Sequence, residues 1–316
     1  MAMPDQDPAP TGESGVIEML RAAGEVDPNR LDFPPVRNGV DYLVSVVDHL
    51  TAEGDRDPRD LKYAVLHLQA AAEVLLKARL VREHWSLVFT DPGKATRETF
   101  ETSTLTSCGV PATAERLRNI AGVDVTTADD KALKDLAHDR NALQHFGLTR
   151  DAAAVEARAG RVLDFLVRFL DDVLLPDLSM EEVAAIASDM NRIRDGLSTI
   201  HAFVTERMRR LKHELAGHED RTVACPTCGQ LAMVADGSTN RCHFCNTDES
   251  NTVLMVGLLI QSLNDPGVRV RACPQCQKET LVDGARLASE PGPVSFCFGC
   301  ATRITDTAPD APGEPQ

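Results

Sequence analysis

Apolar positions recur at helical spacing along the first two-thirds of the chain. Val40, Leu43, Val44, Val47 and Leu50 form one stripe. Asp57-Pro58 has the form of a helix start, an acceptor side chain followed by a residue with no amide to satisfy. From it Leu61, Ala64, Val65, Leu68, Ala71, Ala72, Leu75, Leu76 and Leu80 predict a long amphipathic helix to about Trp85. Between Leu87 and Asp130 the pattern is less regular. Asp91-Pro92-Gly93 reads as a turn, and Phe100–Thr106 and Ala112–Ile120 as short helices. A helix is predicted over Ala128–His145, capped at Thr127 or Asp129 and stopped by Gly147. Another, Asp151–Leu175, turns Val155, Val162, Leu163, Phe165, Leu166, Phe169 and Leu170 inward and is ended by Pro176. Residues 36–176 therefore read as an up-and-down bundle of about four main helices.

Residues 177–219 read as one long helix. Ser179-Met180-Glu181-Glu182 is a capping box. Val183, Ile186, Met190, Ile193, Leu197, Ile200 and Val204 then alternate steps of three and four, which meets the lower bound for a coiled-coil seam. Arg207 interrupts it; Met208, Leu211 and Leu215 resume in a shifted phase. Such a helix either packs on the bundle or pairs with its own copy in a homodimer. Residues 1–35 and 306–316, rich in Pro, Asp and Gly, read as an arm and a disordered tail, with one short helix over Gly15–Ala23.

One stretch breaks the helical pattern. The stripe Leu133, Leu136, position 140, Leu143, Phe146 carries Arg140 at its centre. An arginine turned inward or into an interface needs a partner, because a buried unpaired charge is costly. Glu73 is the candidate. It also stands four residues before Lys77, the favourable order for a surface ion pair, so both pairings are open. Asn141 and His145, four apart, share a helix side. A plainer reading leaves Arg140 paired to Glu73 or Asp139, and His145 as a residue suited to a helix C-terminus.

Composition narrows the classes. The chain has 316 residues, 43% hydrophobic and only 4% aromatic, so its cores are aliphatic and helical, with room for two or three domains. A net charge of −15 argues against non-specific coating of nucleic acid. No recognition-helix motif supports a DNA-binding regulator. Met1–Ser14 is polar and Pro-rich, unlike a secretory signal, and the longest apolar run, Val253–Ile260, is far too short for a bilayer. The expected home is the cytoplasm, with no membrane partner.

Cysteine usage is the most specific signal. Eight of the nine Cys fall in four C-x-x-C pairs. Cys225 and Cys228 precede Cys242 and Cys245 by thirteen residues; Cys273 and Cys276 precede Cys297 and Cys300 by twenty. Each pair points two thiolates at one point, and two pairs make a tetrahedral site. Gln230–Val234 and Thr280–Val282 read as strands, with Asp236-Gly237 and Asp283-Gly284 as hairpin turns. The expectation is two tandem zinc ribbons, 220–250 and 269–305, paired sequentially, each with one structural Zn²⁺. Interleaved pairing of the middle two knuckles would need a longer loop. Four cysteines close each site, so no catalytic metal is expected. Residues 251–268 read as a buried packing segment, and the lone Cys108 as a small buried residue. Arg269, Arg271, Lys278 and Arg286 make the second ribbon mildly basic, and nucleic acid and protein are equally open as ribbon partners.

Arg140-Asn141-Ala142-Leu143-Gln144-His145 has the form R-N-x-x-x-H, and His67–Leu80 is an Ala-rich helix carrying Glu73 and Lys77. Over residues 36–175 the chain resembles the HEPN superfamily, helical-bundle domains found in many prokaryotic toxins and defence proteins. The resemblance implies metal-independent RNA cleavage, in which a ribose 2′-hydroxyl attacks the adjacent phosphate. His145 would move protons, Arg140 would hold the phosphate and its developing charge, Asn141 would orient, and Glu73 would complete the site. It also implies a site formed between two copies. HEPN domains that bind without cutting imply the alternative, an adaptor that dimerises through the bundle and docks a partner on its ribbons. Residues five apart on an ideal helix point about 140° from each other. Arg140 and His145 of one copy can meet only if the helix ends or distorts near His145. The fold class expected is mainly α: a HEPN-like bundle and a long helix, followed by two small β zinc ribbons.

Overall fold

Several helices of the N-terminal part begin at a side chain that accepts from their free amides: Asp57, Thr96, Thr126 and Asp151. In the computed structural model, which describes residues 31–51, 57–263 and 269–305, helix α1 spans Pro35–Thr51 and α2 Pro58–Glu83. Residues 31–34 of the expected arm are irregular and lead into α1, which takes Pro35; residues 1–30, with the expected Gly15–Ala23 helix, and the tail from 306 onward lie outside the described residues. Asp57 caps α2 by accepting from the Arg59 amide at 2.8 Å, with Pro58 at the first helical position. Short helices α3 (Arg97–Glu101) and α4 (Val110–Asn119) follow, then α5 (Thr127–His145) and α6 (Ala152–Phe169). The first short helix lies earlier than the Phe100–Thr106 expected, because Thr96 caps it.

Helix α2 is the centre of this unit. Helices α1, α4, α5 and α6 all pack on it, so its buried positions run well beyond one stripe: Ala64, Val65, Leu68, Gln69, Ala71, Ala72, Leu75 and Leu76. Small residues at 64, 71 and 72 let the neighbours close in. Cys108 is buried as expected, its Sγ 3.2 Å from the Thr113 hydroxyl.

The long helix after Pro176 is two helices, α7 (Met180–Leu197) and α8 (His201–Leu215). The break has a local cause. The Thr199 amide and hydroxyl both turn back to the Gly196 carbonyl, at 3.1 and 2.8 Å, and satisfy it outside the helical ladder. The middle of the heptad seam is buried within the chain, whereas Val183 at its start is exposed. Ile186, Met190, Ile193 and Leu197 are buried as α7 packs along α1, and Arg192 pairs with Asp48 at 2.8 Å. The approach is close: a Cβ on Gly196 would lie 2.3 Å from a Val47 methyl. Of the two roles open for the seam, packing on the bundle is the one that buries these four positions. Its periodicity records packing on the bundle.

Gly160 of α6 tests that packing. A Cβ there would stand 2.7 Å from the Ala202 backbone, which cannot rotate away. Gly160→Ala is expected to destabilise the N-terminal unit by about 1–3 kcal/mol in urea unfolding.

The chain divides into two compact units between Phe203 and Val204. In the second, Arg207, the residue that interrupts the heptads, is buried with its guanidinium 5.9 Å from the Phe244 ring. Two antiparallel four-stranded sheets follow: β1 (Thr222–Ala224), β2 (Leu231–Ala235), β3 (Asn240–Cys242) and β4 (Asp248–Glu249), then β5 (Val270–Arg271), β6 (Leu281–Arg286), β7 (Pro293–Cys297) and β8 (Thr302–Ile304), each in sequential order. The sheets touch through main chain, the Ala288 amide donating to the Thr222 carbonyl at 2.9 Å.

Asp236-Gly237 makes the expected turn. The Asp236 carboxylate accepts from the Thr239 and Ser238 amides, which hold its pKa well below the usual range. Asp283-Gly284 does not turn the chain. Gly284, at φ +89°, forms a bulge inside β6, while Asp283 is tied to Arg271 on β5 and Ser295 on β7. Anchored to both neighbours, Asp283 lies mid-sheet. Residues 252–263 form helix α9 rather than a fully buried segment. Met255, Val256 and Leu259 are buried, whereas Val253 is 72% exposed. None of the described helices is long and apolar enough to cross a membrane.

Candidate functional site

Helix α5 sets the geometry of the Arg-Asn motif. It starts one residue before the expected caps, at Thr126. The Thr126 hydroxyl accepts from the Asp129 amide, and the Asp129 carboxylate accepts from the Thr126 amide, both at 3.1 Å. Asp129 also receives Arg168 of α6 at 2.9 Å. At the other end the helix stays regular through His145. The Phe146 and Gly147 amides both close on the Ala142 carbonyl, and Gly147 adopts φ +86°. The helix thus ends at His145, and Arg140 and His145 both lie on its regular part.

Each motif residue has a distinct environment. Arg140 faces α2, with Nη2 3.8 Å from Glu73 Oε2 and Nη1 donating to Asn141 Oδ1 at 2.9 Å. Glu73 also accepts from Lys77 Nζ at 2.6 Å, and Lys77 reaches the Ser107 hydroxyl at 2.8 Å. Both pairings open in the sequence are thus made: Glu73 lies between Arg140 and Lys77. Asn141 accepts through its carbonyl, so its amide NH₂ is left to donate outward. His145 is exposed, with no hydrogen bond or ion pair among the described residues; its ring lies 6.1 Å from that of Phe146. Phe146 is 91% exposed, so the inward stripe does not reach it. The chain has left the helix at that point, and its apolar face with it.

The carboxylate buried under the motif is Asp139. It pairs with Arg158 of α6 at 2.7 Å and with Arg150, from the connection after Gly147, at 3.0 Å. Of the two partners open for Arg140, Glu73 is therefore the one taken, and Asp139 is engaged by these two arginines instead. The sequence signal was available: Asp139 lies three residues after Leu136 on the buried face. Asp139→Ala would strand Arg158, whose side chain is 18% exposed. A loss of about 3 kcal/mol in the unfolding free energy, read from denaturant unfolding, is expected, at the low end for a broken buried pair because Arg150 still reaches water.

The eight ribbon cysteines form two sets, Cys225, Cys228, Cys242 and Cys245, and Cys273, Cys276, Cys297 and Cys300, with all Sγ atoms of a set within 4.8 Å of one another. Sequential pairing is the one adopted. The closest Sγ–Sγ distances are 3.7, 3.7, 3.8 and 3.6 Å. A tetrahedron with metal–sulfur bonds of about 2.3 Å has edges of about 3.8 Å, so the donor set fits a metal ion. All four knuckles are built alike. The residue after the second Cys takes positive φ: Gly229 at +72°, Asn246 at +59°, Gln277 at +61° and Ala301 at +51°. In three of them its amide donates to the first Cys carbonyl, at 2.8–2.9 Å. Only at Gly229 is the residue a glycine, the type that takes this conformation without strain. Hydrogen bonding among the first set's thiols drives Cys245 well below the ordinary thiol range and Cys228 and Cys242 well above it. Thiolates this close cannot all ionise without a cation among them. His243 pairs with Glu214 at 3.4 Å and is not part of the sulfur set. Of the basic residues in the second ribbon, Arg271 is engaged by Asp283.

No protein-family model matches the chain, and no curated protein and no solved structure matches it.

Proposed function

We propose that the helical unit is a metal-independent endoribonuclease of HEPN type, acting as a homodimer, and that the ribbons hold two structural zinc ions and bring RNA or a protein partner to it. The observation that carries this reading is the state of the motif. Arg140 is oriented by Glu73 with its charge half-exposed, and an unpaired imidazole, His145, stands at the end of the same unbroken helix. A structural arginine and histidine would not need a neighbour such as Asn141 with its amide donors turned outward.

The chemistry follows from these groups. The ribose 2′-oxygen forms a bond to the adjacent phosphorus as the bond from phosphorus to the 5′-oxygen breaks, leaving a cyclic phosphate and a 5′-hydroxyl. His145 moves the proton leaving the 2′-oxygen or the one reaching the 5′-oxygen. Arg140 stabilises the charge that builds on the phosphoryl oxygens, and Asn141 donates to one of them. Glu73 keeps Arg140 aimed. Since Arg140 and His145 leave one helix about 140° apart, the two must come from different copies to face one phosphate. The exposed Phe146 beside His145 is the kind of side chain such an interface covers. Zinc is the metal best suited to four thiolates in a closed tetrahedral site.

The test is RNA cleavage by the purified chain in EDTA, followed by the same assay on His145→Ala. Cleavage lost in the variant with its thermal unfolding unchanged supports the proposal. Equal cleavage by the variant removes it and leaves the adaptor reading.

A further inference from the structure

On the face formed by α1 and α2, four rings gather: Tyr42, His49, Tyr63 and His67. His49 stacks on Tyr63 with centroids 5.5 Å apart, and His67 lies 5.8 Å from His49, 5.9 Å from Tyr42 and 6.1 Å from Tyr63. These are both tyrosines of the chain. Each ring is half-buried, offering its remaining surface to solvent. Both imidazoles are fixed in place through Nδ1, His67 by the Ser45 hydroxyl at 2.8 Å and His49 by the Asp60 carboxylate at 3.0 Å. Arg59 and Lys62 lie over Tyr63 at 5.4 and 5.5 Å. Burial, followed by the nearby His49, holds His67 below the ordinary imidazole range. None of the chain's exposed large aliphatic side chains, among the described residues, belongs to this surface. A protein-docking helix face would present them.

Two hollows extend from this surface toward the end of α5. A hollow of about 80 Å³ runs from His49 and Asp60 to Pro58, Leu61 and Ala152. A second, of about 120 Å³, shares those last three residues and continues to Leu143, Leu148 and Arg150. The hollows thus lead from His49 past Lys62 to Leu143 in the last turn of α5, and Arg140, Asn141 and His145 line neither.

We propose that the Tyr42–His49–Tyr63–His67 surface is a stacking platform for unpaired bases of single-stranded RNA, which positions the strand leading to Arg140 and His145. The proposal rests on the ribonuclease reading for what lies beyond these hollows. Unpaired bases stack on aromatic faces whatever their sequence, and RNA is commonly recognised this way. Arg59 and Lys62 are offset locally by Asp57, Asp60 and the exposed Asp41 and Asp48. Affinity must therefore come from stacking more than from phosphate neutralisation. Two consequences follow: adenine-rich strands bind better than uracil-rich ones, and binding falls only shallowly with salt.

The experiment uses the full chain carrying His145→Ala, so that the probe stays intact, and fluorescein-labelled twelve-nucleotide oligo(A) and oligo(U) RNA in anisotropy titrations. Tyr63→Ala is expected to weaken oligo(A) binding by roughly ten-fold, and Tyr42→Ala by a similar or smaller factor. Tyr63→Phe, which keeps the ring, should bind like the parent. The wild-type chain carrying Tyr63→Ala should show a raised KM for RNA at unchanged kcat. Unchanged binding by Tyr63→Ala overturns the platform even where the wild-type chain cleaves RNA. Loss of binding in Tyr63→Ala with no cleavage by the wild type overturns the nuclease and leaves the platform standing. A parent that binds neither oligonucleotide overturns both.

Discussion

Stripping metal from the chain is expected to unfold the C-terminal ribbons and leave the helical unit folded. In the second ribbon the ligands are part of a small core that also holds Val282, Ala285, Phe296 and Phe298. Cys273, Leu281 and Cys297 are buried together, with Cys276, Cys300 and Ile304 packed against them. Strands of two to six residues with so small an apolar centre cannot offset their ordering entropy. Structural zinc contributes roughly 10–16 kcal/mol in modules of this kind, more than the whole stability of a typical domain. Elemental analysis should give two zinc ions per chain. Prolonged treatment with a strong chelator, or the Cys273→Ser/Cys276→Ser variant, should make the segment after Thr222 rapidly exchanging and protease-sensitive. The α-helical circular dichroism should change little, because α1, α2, α5, α6 and α7 carry most of it. Ribbons that stay protected after complete metal removal would contradict this account.

The second large effect concerns Arg140 and His145. His145→Ala should lower RNA cleavage by about 10²–10⁴-fold, the usual contribution of a positioned acid or base. Arg140→Ala should cost about 10²–10³-fold, as for removal of a donor to developing charge. Neither should shift the unfolding midpoint by much. His145 is exposed, and Arg140 meets Glu73 only at 3.8 Å, with both side chains about one-third exposed. A surface pair of that kind is worth at most about 1 kcal/mol. Activity and stability therefore separate at these positions, whereas at Asp139 stability itself falls. Glu73→Gln should be milder than Arg140→Ala, since Arg140 keeps its own charge and loses only its aim.

The zinc-binding pattern was the most legible part of the sequence. Four C-x-x-C pairs fix both donor sets, because a tetrahedral sulfur site leaves few ways to arrange them. Helix starts at Asp57, Ser179 and Gly147's stop were also legible, each resting on one local hydrogen-bonding rule. Local rules gave less where two roles share one pattern. The heptads from Ile186 to Leu197 have the same spacing whether the partner is α1 or a second copy, and only the three-dimensional placement of Val47 opposite Gly196 decides. Asp283-Gly284 matches a turn and a bulge equally, until Arg271 and Ser295 pin Asp283 between strands. At the motif, the residue types were visible but not their directions. Arg140 was read as the charge inside the stripe, yet the buried charge is Asp139, one step around the helix. Its partners Arg150 and Arg158 lie beyond a turn that periodicity does not describe. The ring cluster of α1 and α2 escaped for the same reason: Tyr42, His49, Tyr63 and His67 come together only when two helices pack.

The central claim is that Arg140 of one copy and His145 of another act on one phosphate, and mixing two inactive chains tests it most directly. Arg140→Ala and His145→Ala are purified separately, unfolded and refolded together in equal amounts, and assayed for RNA cleavage in EDTA. In a mixed dimer one of the two sites keeps both intact residues, and mixed dimers are half of the population for random pairing, so recovery of about a quarter of wild-type cleavage is predicted. A mixture no more active than either variant alone would contradict the shared site, and wild-type cleavage by His145→Ala on its own would contradict the nuclease altogether.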